Sequence, residues 1–144
     1  MKCYIAGQMR GRVHYNFPAF FQAEEEVLKL GFVPANPARK DVEEGFDGRK
    51  LPEDTDWTKV PEGWPDVHEF IRRDVEMLLD CEAIYMLRGW EGSKGARAEY
   101  AVAVWGGHAI FFQGDEPERC AWPNESFIVS SSGECYNVNS PRVD

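Results

Sequence analysis

The chain lacks any apolar run approaching the ~20 residues needed to cross a bilayer. Its first residues also lack the basic, apolar and small-residue succession of a secretory signal. Both absences lead us to expect a cytoplasmic protein with no membrane partner. Positive charge is scarce too: 16 Lys and Arg stand against 25 Asp and Glu, a net charge of −9. Broad contact with nucleic acid needs a basic face, so DNA and RNA are excluded as expected partners, although a few arginines and backbone amides can still hold one small anion. The four cysteines (3, 81, 120 and 135) form no Cys-x-x-Cys pair, and His14, His68 and His108 are scattered. That is not zinc spacing, and reduced thiols with no metal are expected. Neither an internal repeat nor a second domain is evident. What is present is globular: 144 residues, 43% hydrophobic and 13% aromatic, with five Trp and nine Phe, enough for one buried core.

Along the chain, Lys2 to Ala6 reads as a short apolar strand. "YNFPAFFQAEEEVLKLG" then has helical spacing, with Asn16 as N-cap, Pro18 in the first turn and Gly31 as the stop. Its apolar face is Phe17, Phe20, Phe21, Val27, Leu28 and Leu30, and Glu24 to Glu26 form a solvated side. "FVPANPA" resembles a second strand ending in a proline-rich turn. Residues 39–66 are acidic, rich in Gly and Pro, and without a sustained period; they read either as a decorated surface insertion or as a lid bearing Trp57 and Trp64. "HEFIRRDVEMLLDC" returns to helical spacing with Phe70, Ile71, Val75, Leu78 and Leu79 on the buried side. A strand (83–87), a loop, an alanine-rich helix and the strand "HAIFF" follow. The order βαβ–insertion–αβαβ implies a single-domain, doubly wound α/β fold: a mainly parallel sheet in flavodoxin-like order, helices on both faces and a long insertion. The domain is expected over 1–128, with "SFIV" a candidate added strand and 129–144 an exposed tail or partner-contacting arm.

Ligands in such sheets bind beyond the carboxyl ends of the strands. Gly7-Gln8-Met9-Arg10-Gly11 lies there after the first strand; its glycines allow close backbone approach and Arg10 offers a forked cation. A plain tight turn accounts for the glycines equally well. "GWEGSKGARAE" lies at the same edge, where Ser93 is a fair N-cap, Gly92 and Gly95 free the backbone, and the exposed amides suit an anion. Glu99 stands about two turns into that helix, and Asp74 is an unusual mid-helix aspartate beside Arg72 and Arg73. Each acid alone reads as a solvated side chain; together they would serve acid–base and nucleophilic chemistry. Trp90 packs beside the loop or stacks a base. Cys81, Trp105 and the Phe111–Phe112 pair read as core.

"YIAGQMRG", "YNFPAF", "NPA", "RRDVEMLLDC" and "GWEGSKGARAE" together, over about residues 2–112, resemble a phage-associated family of uncharacterised proteins. That family is similar to the nucleoside 2-deoxyribosyltransferases and the deoxynucleoside 5′-monophosphate N-glycosidases. The resemblance implies roles by position. Tyr4 matches the first-strand tyrosine near the catalytic carboxylate. Gly7 and Arg10 match the glycosidases' Gly-Ser-x-Arg-Gly loop, whose arginine helps bind the 5′-phosphate, so Gln8 and Gly11 fall in the same loop. Asp74 matches the helical aspartate that assists at sugar and base. Ser93, Gly95 and Glu99 match Ser-x-Gly-x-x-x-Glu, with serine on phosphate and glutamate as nucleophile at the anomeric carbon.

Two departures shape the expectation. Gln8 replaces the loop serine, and Ser93 stands where the transferases usually carry an aspartate, the nearest upstream acid being Glu91. The first removes one phosphate-binding hydroxyl, although an amide can still donate; the second favours a phosphate-bearing substrate over a free nucleoside. The resemblance also implies a homodimer or higher homo-oligomer whose neighbour contributes a serine or asparagine, for which Ser130 to Ser132 or Asn124 are candidates. The expected function is cleavage or transfer of the N-glycosidic bond of a (deoxy)nucleoside 5′-monophosphate, without cofactor. The alternative is a non-catalytic protein that senses or sequesters a nucleotide.

Overall fold

A computed structural model describes residues 1–114 and the backbone of 127–129 and 135–137. The candidate neighbour-reaching residues Asn124 and Ser130 to Ser132 lie outside the described residues. Strands β1 (Lys2–Ala6), β2 (Val33–Ala35), β3 (Ala83–Met86) and β4 (Ala109–Phe112) form a parallel sheet in the order β2-β1-β3-β4. Strand β5 (Phe127–Val129) joins β4 in parallel, and β6 (Cys135–Asn137) pairs antiparallel with β5. The chain is thus a doubly wound α/β fold of flavodoxin-like order, as the βαβ pattern implied. The stretch expected as an added strand is β5, while β6 falls inside the stretch read as a tail.

Every residue of β3, and all of β1 after Lys2, is buried, as a sheet covered on both faces requires. The pleat divides them. Cys3 and Ile5 point into one layer with α1 (Phe17–Lys29), while Tyr4 and Ala6 point into the other with α3 (Val67–Leu79) and α4 (Lys94–Gly106). On α1, Phe17, Phe20, Ala23 and Val27 are buried, but Leu28 is 58% exposed, past the edge of the stripe. Gly31 follows the helix at φ +90°, the left-handed turn that glycine adopts without penalty. Asn16 occupies the N-cap position but does not cap; it is itself left-handed, and its amide donates to the Gln8 carbonyl at 2.9 Å.

The insertion is more ordered than its composition suggested. Helix α2 (Pro37–Glu43) opens it, capped by Asn36, which accepts from the Ala38 N–H at 2.9 Å. Seven residues are too few to display a helical period, so the pattern missed it. The α3 reading needs correction as well. Of its expected buried face only Leu78 is fully covered; Phe70 and Val75 are half-buried, and Ile71 and Leu79 are 52% and 57% exposed. The stripe is divided, with Leu78 on the sheet and Phe70, Ile71 and Val75 along an open cavity. Trp105, read as core, is 88% exposed near the end of α4, whose sheet-facing positions are taken by Ala96 and Ala103. Phe111 is buried and Phe112 half-buried. No helix among the described residues is long and apolar enough to cross a membrane.

Candidate active site

The carboxyl ends of β1 and β3, the first turns of α4 and the middle of α3 surround a cavity of about 700 Å³. Gly7, Gln8, Arg10, Asp74, Ser93, Gly95 and Glu99 all line it, so three segments far apart in sequence meet at one mouth. Gly7, just past β1, lies against Leu87, just past β3. A Cβ there would stand 2.8 Å from Leu87 Cδ1, so only glycine fits without displacing Leu87.

Ser93 caps α4 through its Oγ, which accepts from the Ala96 N–H at 3.1 Å. The next amides, Lys94 and Gly95, belong to the first turn and have no intrahelical acceptor. Ser93, Lys94 and Gly95 all line the cavity, and the Ser93 hydroxyl keeps a proton to donate. Gln8 is largely committed within its own loop, donating to the Arg10 carbonyl at 3.2 Å and accepting from Arg12 Nε at 3.2 Å, which leaves one amide N–H. Arg10 is exposed at the mouth.

Glu99 sits deeper. Tyr4, wholly buried in β1, donates its hydroxyl to Glu99 Oε2. Burial pushes the Glu99 carboxyl up to about 8; the Tyr4 hydrogen bond pulls down and the charge of Asp74 pushes further up. The Tyr4 phenol is itself raised well above its ordinary value by burial and by the neighbouring carboxylates. Asp74 is raised by burial and lowered by Arg73, whose Nε and Nη2 reach Asp74 Oδ1 at 2.9 and 2.7 Å. Arg73 Nη1 lies 2.6 Å from Asp41 Oδ1, close enough for an ion pair but not aligned for a hydrogen bond. Asp41, on α2, also lines the cavity, and burial pushes it up to about 7 against the pull of Arg73.

The remaining expected residues stand elsewhere. Tyr4 lies behind Glu99 rather than on the wall. Gly11 anchors the loop, donating to the Trp57 carbonyl at 2.8 Å. Trp57 is no lid: it is 8% exposed and its ring meets Tyr15 edge-on at 5.0 Å. Trp90 is not on the cavity wall; its ring packs against Tyr100 (4.9 Å) and Phe112 (5.8 Å). Trp64 does line the cavity, beside Val60 and Pro61.

The insertion is therefore a wall, clamped to the β1 loop. Tyr15 donates its hydroxyl to the Lys59 carbonyl, and His14 Nδ1 lies 3.1 Å from the Gly48 carbonyl. His14, Tyr15 and Asn16 form a left-handed turn at φ 55°, 50° and 62°, each an uncommon conformation for a residue with a side chain. This turn sets Tyr15 against the cavity, and no local sequence signal marks it. Asp41 was equally hidden, inside a helix too short to show. Among the described residues no three His, Cys, Asp or Glu side chains gather as a metal ion would require. No curated protein matches the sequence. Residues 1–112, the span that carries strands β1 to β4, the loop and both acids, match the family described as Domain of unknown function (DUF4406), and the chain belongs to that family.

Proposed function

We propose that the protein cleaves or exchanges the N-glycosidic bond of a (deoxy)nucleoside 5′-monophosphate, with Glu99 as nucleophile and Asp74 as general acid. The observation that carries this reading is the Tyr4–Glu99–Asp74 group at the base of the cavity, beside the open first turn of α4. The phosphate would rest on the Lys94 and Gly95 amides and the Ser93 hydroxyl, with Arg10 at the mouth. The base would lie along the apolar wall of Phe70, Ile71 and Trp64.

The chemistry balances on two carboxyl groups. Ionised Glu99 attacks C1′, the bond from C1′ to the base nitrogen breaks, and Asp74 gives its proton to the departing base. The resulting glycosyl ester is opened by water, giving the free sugar phosphate, or by a second base, giving a new nucleotide. Ionising one acid opposes ionising the other, so the pair titrates in two joint steps. The form with a single proton on the pair is the working one. Arg73 favours placing the charge on Asp74, whereas Tyr4 supports it on Glu99. Activity should follow a bell, with the alkaline limb near pH 8 as the second proton leaves.

The test incubates the protein with a panel of ribo- and deoxyribonucleoside monophosphates, with and without acceptor bases, and measures free base. Release from wild type that falls on the order of 10³-fold or more in Glu99→Gln, with ligand binding retained, supports the reading. Binding without base release from wild type would favour a nucleotide-sequestering protein.

A further inference from the structure

Arg73 stands out because it is charged, mostly covered and yet not part of the cavity wall. Its side chain is 17% exposed, and it joins two elements whose acids do line the cavity. On its own helix it grips Asp74 with two bonds, both to Oδ1. On α2 it meets Asp41 at 2.6 Å and the Pro37 carbonyl at 3.4 Å, and just past that helix it meets Glu44 at 3.4 Å. Its guanidinium carbon also lies 5.3 Å from the Phe70 ring centroid.

We infer that Arg73 is a positioning residue of this site: its planar fork, braced by Asp41 from the insertion helix, holds Asp74 in one rotamer and sets when that carboxyl gives up its proton. Adjacent residues on a helix do not normally face one another, so the Arg73 side chain must fold back to reach Asp74. Asp41 and Glu44 supply the second attachment that keeps it there. With both bonds on Oδ1, Oδ2 is the atom left to meet a ligand. Every charged or titratable group facing Asp74 enters this balance. Arg73 favours its ionised form, while Asp41 from α2, Glu44 just past it, Glu99 from α4 and the Tyr4 phenol from β1 do not. A lysine cannot replace the fork, because a single ammonium nitrogen lacks the separate Nε, Nη1 and Nη2 atoms that hold Asp74 and pair with Asp41 at once. The role of Asp74 as general acid rests on the reading above; the clamp on its carboxyl does not.

The test therefore begins with a measurement that needs no turnover. The carboxyl ¹³C resonance of Asp74 is titrated by NMR in the ligand-free full chain, in wild type, Arg73→Met and Arg73→Lys. Removing the cation should raise the Asp74 midpoint by about 1 to 3 pH units, and lysine should raise it by less. If Arg73→Met does not fold, Arg73→Lys alone decides. A midpoint unmoved in the folded variants overturns the inference and leaves Arg73 a plain structural tie. With base release as readout, Arg73→Met should move the acid limb of the profile upward and lower kcat with KM little changed. A shifted midpoint together with no base release from wild type would sink the proposed reaction and leave the clamp standing.

Discussion

The two faces of the sheet are built from different material. On the α1 side Tyr15, Phe17, Phe20, Phe32, Phe111 and Trp57 fill the layer with large rings, and the insertion covers it, with Tyr15 and Phe17 of these rings reaching the cavity. On the α3–α4 side the buried residues are mainly aliphatic, with Leu78, Ile84, Met86 and Ile110 beside Tyr4, Ala6, Ala96 and Ala103, and the layer stays open at the carboxyl ends of the strands. Asp74, Glu99 and the Tyr4 hydroxyl belong to this second side. Rings dominate the first layer and aliphatic side chains the second, and the cavity opens beside the second. Titratable groups can be kept half-covered only where packing is left incomplete, because a fully packed layer would drive them neutral or exclude them.

The contrast can be broken from either side. Phe20→Ala removes a ring that is 1% exposed in the ring-filled layer, and should cost about 3–5 kcal/mol in urea unfolding. A loss below ~1 kcal/mol would mean that the layer is not tightly packed. On the open side the effect of Glu99→Gln should depend on pH. The Glu99 carboxyl is raised from 4.5 to about 8 in the fold, so the folded state keeps a proton that the unfolded chain has released. Stability of the wild type therefore falls as pH rises through that window, and is level below it and above it. Glu99→Gln lacks this loss, and should be the more stable protein at pH 8.5 by about 2 kcal/mol, a figure reduced for water in the cavity. Equal melting temperatures at pH 5 and pH 8.5, compared between variant and wild type, would show that Glu99 is not held in a desolvated place. Smallest is Trp105→Ser: at 88% exposure the ring touches little, and unfolding should shift by no more than about 0.5 kcal/mol. A large loss would return Trp105 to the core.

Much of the sheet side of the fold was legible. The strand at Lys2–Ala6, the helix from Phe17 and the Ser93 cap all follow from short-range pattern, because alternation, proline position and capping act within a few residues. Glu99 and Asp74 were legible as candidates only in company, through the resemblance of their surrounding motifs. The misses share a different cause. Helix α2 carries Asp41 in a stretch too short for a period to be seen. The left-handed turn at His14–Asn16 is held by contacts to Gly48, Lys59 and Gln8, all outside the turn itself. Ile71 and Trp105 read as core because periodicity reports apolar residues without telling a packed neighbour from a cavity or from solvent.

Taken alone, the sequence determined the class of fold and the edge of the sheet where a ligand would sit. The parallel sheet follows from the βαβ rhythm, and glycine-rich segments cluster after the strands that precede them. Tertiary structure alone decided which acids meet, what holds them and how readily each gives up its proton. Those outcomes depend on Tyr4 reaching Glu99 across 95 residues and on Arg73 tying α3 to α2, and the energy of such contacts is set by distance and burial in space rather than by position along the chain.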